Sequence, residues 1–262
     1  HAGVNSGWIS TDVRLDMAVA VDDKSMGKEQ TLTAWRGERV AAQWVATTSE
    51  AIEKLEVKLN GMAGIPEKNI RLAYSRYVMT DELNKDGLGG CGSRPNKAEF
   101  DSSMVADALD YRPQFVEAEA NSSHGGWVII EVPSDCKAEA YSAELRVVAD
   151  GKTINTLKLK LKVLNRTLPE AKDYSFHLDL WQNPYAEARY YGVSPFTKEH
   201  FEARRPDMEL YARAGGKVVT TSIIQKPWNG QTYDPFASMV TWMKKADGTW
   251  MYDYTVFDMW VE

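Results

Sequence analysis

The 262-residue chain carries a net charge of −6, with 44% hydrophobic and 26% charged residues, the balance of a soluble globular protein. No apolar run approaches the roughly 20 residues of a membrane span, and Lys and Arg form no cluster suited to phosphates, which argues against a nucleic-acid partner and leaves a neutral or apolar ligand easier to accommodate. The length exceeds that of an ordinary sandwich and lies near the roughly 250 residues of a complete (β/α)8 barrel, so the pattern along the chain decides between them.

The chain opens on His1 with neither Met nor signal peptide. A processed or engineered start is the expectation, and with it a secreted, periplasmic or cell-surface location. To about residue 165 the dominant period is 2. Leu55-Glu-Val-Lys-Leu59 and Leu157-Lys-Leu-Lys-Leu-Lys-Val163 alternate between apolar and charged, giving each strand one buried and one wet face. Residues 12–21, 31–36, 40–46, 70–79, 126–132 and 140–149 read as further strands, with Asp150-Gly151 as a hairpin turn. Together they predict an antiparallel β-sandwich over residues 1–165. The polar, Gly-rich run 81–97 reads as a long loop. Cys91 within it and Cys136 either pair or remain buried free thiols, and their spacing fits no zinc site.

After Asn165-Arg-Thr-Leu-Pro169 the pattern changes to strand, helix, strand. Phe176-His-Leu-Asp-Leu-Trp181 sets His177, Asp179 and Trp181 on one face and Phe176, Leu178 and Leu180 on the other. That is the pattern of a buried barrel strand, whose apolar face packs on outer helices while the other points into the lumen. Residues 197–204 and 206–214 read as helical, with Pro206 suited to a first turn and Gly215-Gly216 as the stop; 217–224 read as the next strand. This is one right-handed βαβ unit with parallel strands. Asp247-Gly248 turns a hairpin between 239–244 and 249–254, and Phe257-Asp-Met-Trp-Val-Glu262 opens another helix. Residues 166–262 are therefore expected to form the start of a (β/α)8 barrel. Two parallel strands neither close a barrel nor cover their own apolar faces, so a truncated fragment of a longer protein is the expectation.

Five of the nine Trp, at 181, 228, 242, 250 and 260, follow residue 180. Flat rings at strand ends suit pyranose stacking, whereas core or hairpin packing is the better account of Trp242 and Trp250. Six residues form the candidate substrate site. Asp179 is either an acceptor for sugar hydroxyls or a carboxylate paired with Arg or Lys inside the barrel. Trp181 and Trp228 are stacking platforms or core, while Gln182, Asn183 and Gln231 are polar neighbours of a sugar or loop hydrogen-bonders. His177 and His200 form no i, i+4 pair, no Gly-x-Ser-x-Gly elbow occurs, and neither Cys has a His at a recognisable spacing, so no metal, cofactor or nucleophile is assigned.

Longer motifs carry a family resemblance. Phe176-His-Leu-Asp-Leu-Trp-Gln-Asn-Pro-Tyr185, Lys226-Pro-Trp-Asn-Gly-Gln-Thr232 and Asp247-Gly-Thr-Trp-Met-Tyr-Asp-Tyr-Thr-Val-Phe-Asp258 resemble the DUF4091 group of bacterial proteins, related to glycoside hydrolase family 123. Ala34-Trp-Arg-Gly-Glu-Arg-Val40, Tyr77-Val-Met-Thr-Asp81, Cys91-Gly-Ser-Arg-Pro95 and Val105-Ala-Asp107 are similar to that family's N-terminal sandwich. The resemblance implies a sandwich followed by a catalytic barrel that acts on N-acetylgalactosamine-type β-glycosides by a substrate-assisted retaining mechanism. In it the 2-acetamido oxygen attacks the anomeric carbon, an Asp orients that amide, and the adjacent Glu protonates the leaving oxygen. The sole Asp-Glu pair here, Asp81-Glu82, lies in a polar loop of the sandwich half where nothing desolvates the Glu, so the role is not carried onto it. No catalytic residue is assigned, and the chain alone is expected to be inactive. The alternative is a noncatalytic carbohydrate-binding or scaffold module.

Overall fold

The computed structural model describes residues 3–80, 98, 103–227, 233–234 and 236–262. They form two compact units, His1–Leu168 and Pro169–Glu262. The first unit is built from β1 (Val4–Ile9), β2 (Glu29–Arg36), β3 (Arg39–Thr48), β4 (Ile52–Leu59), β5 (Ile70–Thr80), β6 (Ser103–Asp110), β7 (Val116–Ala118), β8 (Ser122–Glu131), β9 (Ala140–Ala149) and β10 (Lys152–Thr167). They make two five-stranded sheets, ordered β1-β3-β8-β5-β6 and β2-β10-β9-β4-β7.

The alternation of the sequence is visible in the packing. Leu157, Leu159, Leu161 and Val163 of β10 are buried and the lysines between them exposed. Trp8, Trp44, Val128 and Ile130 of the other sheet join the same core cluster. Buried polar tips are satisfied across the sandwich: the Trp8 indole N–H donates to the Lys158 carbonyl at 2.9 Å, and the Tyr74 hydroxyl accepts from Val57 N–H at 3.1 Å while donating to the Gln114 carbonyl at 3.0 Å. Burial pushes the Tyr74 hydroxyl up to about 12. At the tip of the β9–β10 hairpin, Asp150 and Gly151 have φ of 47° and 80°, the left-handed pair of a type I′ turn.

Three expectations for this unit are corrected. The sandwich is not wholly antiparallel, since β10 pairs β2 in parallel from Lys158↔Glu29 to Val163↔Ala34; no hairpin joins these two, so nothing local fixes their sense. Residues 12–21 form no strand. They lie over the outer face of the first sheet, where Leu15 is buried with Ile9 and Val45 and its Cδ1 occupies space that a Cβ on Gly125 would fill. The strands β1, β6 and β7 fall outside the expected set: β1 buries four residues in a row, Ser6 to Ile9, with no alternation, and β7 is only three residues long. Cys91 lies outside the described residues, and Cys136 is half-buried against the core.

The second unit contains α1 (Pro184–Tyr191), α2 (Lys198–Arg213), α3 (Thr255–Val261) and the hairpin β11 (Thr241–Lys244) with β12 (Trp250–Asp253). The strands expected at 176–181 and 217–224 are reduced to extended segments joined by one parallel bridge, Leu178↔Gly216. Nor is the first segment buried: Phe176, Leu180 and Trp181 are 53%, 54% and 66% exposed. A parallel strand is buried only where further strands continue the sheet and helices cover both faces. Among the described residues the segment's only β-bridge is the one to Gly216, and Tyr211 of α2 donates to the Leu178 carbonyl at 2.8 Å. The two helices expected at 197–214 are one, continuous through Pro206. α1 was not anticipated, although Asn183 caps it, Pro184 opens it and Gly192 ends it at φ 68°.

A buried polar cluster locks α1 to α2. Arg204 Nε donates to Glu187 Oε2 at 2.8 Å, and its guanidinium lies 3.9 Å from the Trp260 ring centroid. His200, fully buried, accepts the Phe196 N–H on Nδ1 at 3.1 Å, the geometry of a neutral imidazole. Burial and then the nearby Arg204 hold its pKa below the usual histidine value, and burial does the same to His124 in the first unit. Unfolded histidines therefore take up protons before the native ones as the pH falls. Stability should be complete above about pH 6.5 and decline below it. Thermal melts across this range check the sign, and His200→Gln should flatten the second unit's share. In the sandwich, Leu159→Ala should cost about 2–5 kcal/mol in urea unfolding.

Candidate functional site

The candidate site is carried by the two extended segments and the loops that follow them. What joins the segments is Gln182. Its Oε1 accepts the Thr220 N–H at 2.6 Å, its backbone N–H donates to the Thr220 hydroxyl at 3.3 Å, and its Nε2 donates to the carbonyls of Leu180 and, at 3.4 Å, Val218. The Thr220 carbonyl accepts from the Trp260 indole at 2.8 Å. Backbone groups that a regular sheet would pair are thus satisfied by side chains. Asn183 Oδ1 accepts from the N–H groups of Tyr185 and Ala186 at 3.1 and 3.2 Å, closing the first turn of α1.

The six residues named from the sequence therefore separate. Gln182 and Asn183 direct their side-chain hydrogen bonds into the scaffold. Asp179 and Trp181 are exposed. Trp228 and Gln231 lie outside the described residues, as do Asp81 and Glu82.

Sequence reasoning missed a concavity of about 450 Å³ beyond the second segment, lined by Ile223, Ile224, Gln225, Ser238, Thr241 and Trp242 among others. Asp179 and Trp181 are not among its lining residues, and among the described residues none that lines it is charged. Trp242 and Trp250 pack within the hairpin as read, with ring centroids 6.2 Å apart at 81°, yet each remains about half exposed, at 49% and 50%.

Two family models match the chain. The glycoside hydrolase 123 N-terminal domain covers residues 8–149 and the glycoside hydrolase 123 catalytic domain covers 181–262. The chain belongs to the glycoside hydrolase 123 family. Among solved structures, a family 123 glycoside hydrolase from Clostridium perfringens, studied for glycolipid glycan hydrolysis, superposes with a TM-score of 0.79 at 24% identity, over 98% of this chain and 45% of its own. That likeness shows a shared fold, and this family 123 chain spans less than half the length of that relative. The N-terminal domain of PorA (TM-score 0.28, 10% identity, 62% of this chain and 99% of its own) and the GspB Siglec domain (0.29, 13%, 93% and 94%) are too distant to inform the site. No curated protein sequence matches the chain.

The clamp and the exposed ring make opposite predictions. Gln182→Leu keeps the bulk but strands the Thr220 N–H and Val218 carbonyl, and should cost the second unit about 1–3 kcal/mol. Trp181→Ala should leave the melting temperature nearly unchanged, whereas truncating a core Trp costs about 3–5 kcal/mol. Parallel thermal melts of the two variants check both.

Proposed function

We propose that this chain recognises N-acetylgalactosamine-type β-glycosides as the sugar-binding part of a family 123 glycoside hydrolase. The observation that carries the reading is the pair of family matches, 8–149 and 181–262. A parallel bridge at Leu178↔Gly216, with α2 crossing between its two segments, supports reading the second unit as the opening of a (β/α)8 catalytic domain. In that setting Trp181 offers a half-wet apolar face on which a pyranose stacks, and Asp179, two residues before it, accepts from sugar hydroxyls. The Clostridium perfringens relative is described as hydrolysing glycolipid glycans, and a glycan of that kind is the substrate class assigned here.

The chemistry we assign to the assembled catalytic domain is substrate-assisted retention. The sugar's own 2-acetamido oxygen attacks the anomeric carbon and displaces the leaving oxygen, which takes its proton from a Glu, while the preceding Asp orients the amide. An internal nucleophile removes the need for an enzymic one, so one acid/base and one orienting carboxylate suffice. Across all 262 residues the sole adjacent Asp-Glu is Asp81-Glu82, in the sandwich half of the sequence. Recognition is therefore assigned to this chain and turnover is not.

Mass-verified protein should show calorimetric binding of methyl N-acetyl-β-galactosaminide and no release of nitrophenol from the 4-nitrophenyl glycoside, since a general acid alone contributes roughly 10²- to 10⁴-fold. Clear turnover would overturn the division between recognition and chemistry. Absence of binding to any N-acetylgalactosaminide would overturn the substrate class.

A further inference from the structure

We infer that the concavity beside Trp242 is a second sugar platform, holding a neutral pyranose of the same glycan against the Trp242 ring; this rests on the glycan reading above. The indole N–H donates to the Ile223 carbonyl at 2.9 Å. Trp250 and Tyr252 meet the ring edge-on, at centroid distances of 6.2 and 5.1 Å and angles of 81° and 89°. A ring braced from three directions yet 49% exposed has little freedom left to lose when a flat partner lands on it.

The walls specify that partner. Ile223, Ile224 and Trp242 present apolar surface suited to the C–H face of a sugar, while Gln225 and Thr241 bring an amide and a hydroxyl suited to its oxygens; the Ser238 hydroxyl is spent on Val240, donating to its carbonyl at 2.6 Å. Gln225 Oε1 accepts the Ser238 N–H at 3.1 Å, which fixes the amide within the wall. Among the described residues no charged side chain lines the concavity, so they offer phosphate, carboxylate and ammonium ligands no counter-charge, whereas a neutral hydroxylated ring needs none. The volume of about 450 Å³ lies within the range of small-molecule sites.

The test is an NMR titration of indole-¹⁵N-labelled protein with methyl N-acetyl-β-galactosaminide, the Trp242 signal being assigned by its loss in Trp242→Phe. A saturable shift of the Trp242 resonance is expected, and Trp242→Ala should weaken binding about tenfold while the indole signals other than that of Trp250, which packs on Trp242, keep their positions. Movement of Trp181 without Trp242 would overturn this site and leave the family reading intact. If no indole moves, both fall. A Trp242 shift produced by phosphatidylcholine vesicles and not by the glycoside would overturn it in favour of a lipid surface.

Discussion

The hydrogen bonds between Gln182 and Thr220 are the constraint on which the second unit depends. Two extended segments with a single backbone bridge cannot satisfy their own N–H and C=O groups, and an unpaired buried group costs roughly as much as a hydrogen bond contributes. Here side chains supply the partners: Gln182 for the N–H of Thr220, Trp260 for its carbonyl, Tyr211 for the carbonyl of Leu178, and Trp242 for that of Ile223. The same clamp orients the candidate site. Successive residues of an extended chain face opposite ways, so a Gln182 held inward sets Trp181 outward, with Asp179 on the face of Trp181.

In the sandwich, the sequence pattern and the fold agree wherever the determinant is local. The Leu-Lys alternation of β10 has one stable outcome, because a slip by one residue would bury Lys158, Lys160 and Lys162 and expose the leucines. Asp150-Gly151 is equally local, since the type I′ geometry needs two left-handed residues and these tolerate it. Disagreement begins where the determinant is remote. Nothing near β2 says that its partner is β10 running in parallel, more than a hundred residues on. Residues 12–21 alternate well enough to pass for a strand, and only the space left by Gly125 explains why Leu15 packs down instead.

The candidate site was legible in part for the same reason. The polar and aromatic character of residues 179–183 is plain in the sequence, but the partners of Gln182 lie nearly forty positions away and spacing does not reveal them. Asn183 is different. Asn followed by Pro, with a Gly eight residues after the Pro, is a complete start and stop signal for a short helix, and it is local to the sequence. The concavity at Trp242 was out of reach, because it brings residues 223–225 together with 238–242, a pairing that no local pattern dictates.

Five carboxylates of the second unit are committed to holding its turns and helices. A general acid must hold its proton near the working pH and release it to a leaving group within hydrogen-bond reach. Glu187 is the carboxyl that burial pushes upward, but Arg204 grips it at 2.8 Å, and the pair is wedged between helices beneath Trp260. Asp234 is bound at two points by Arg189, at 2.7 and 3.0 Å, and Asp207 accepts from the Tyr191 hydroxyl at 2.6 Å. Asp247 and Asp253 each accept from the hydroxyl and N–H of a Thr two residues on, which holds them below the usual carboxylate range and so ionised. Each of these groups has its charge or its proton committed to holding a turn or a helix in place. Freeing any of these five carboxylates for proton transfer would break the ion pair, hydrogen bond or turn that it now holds.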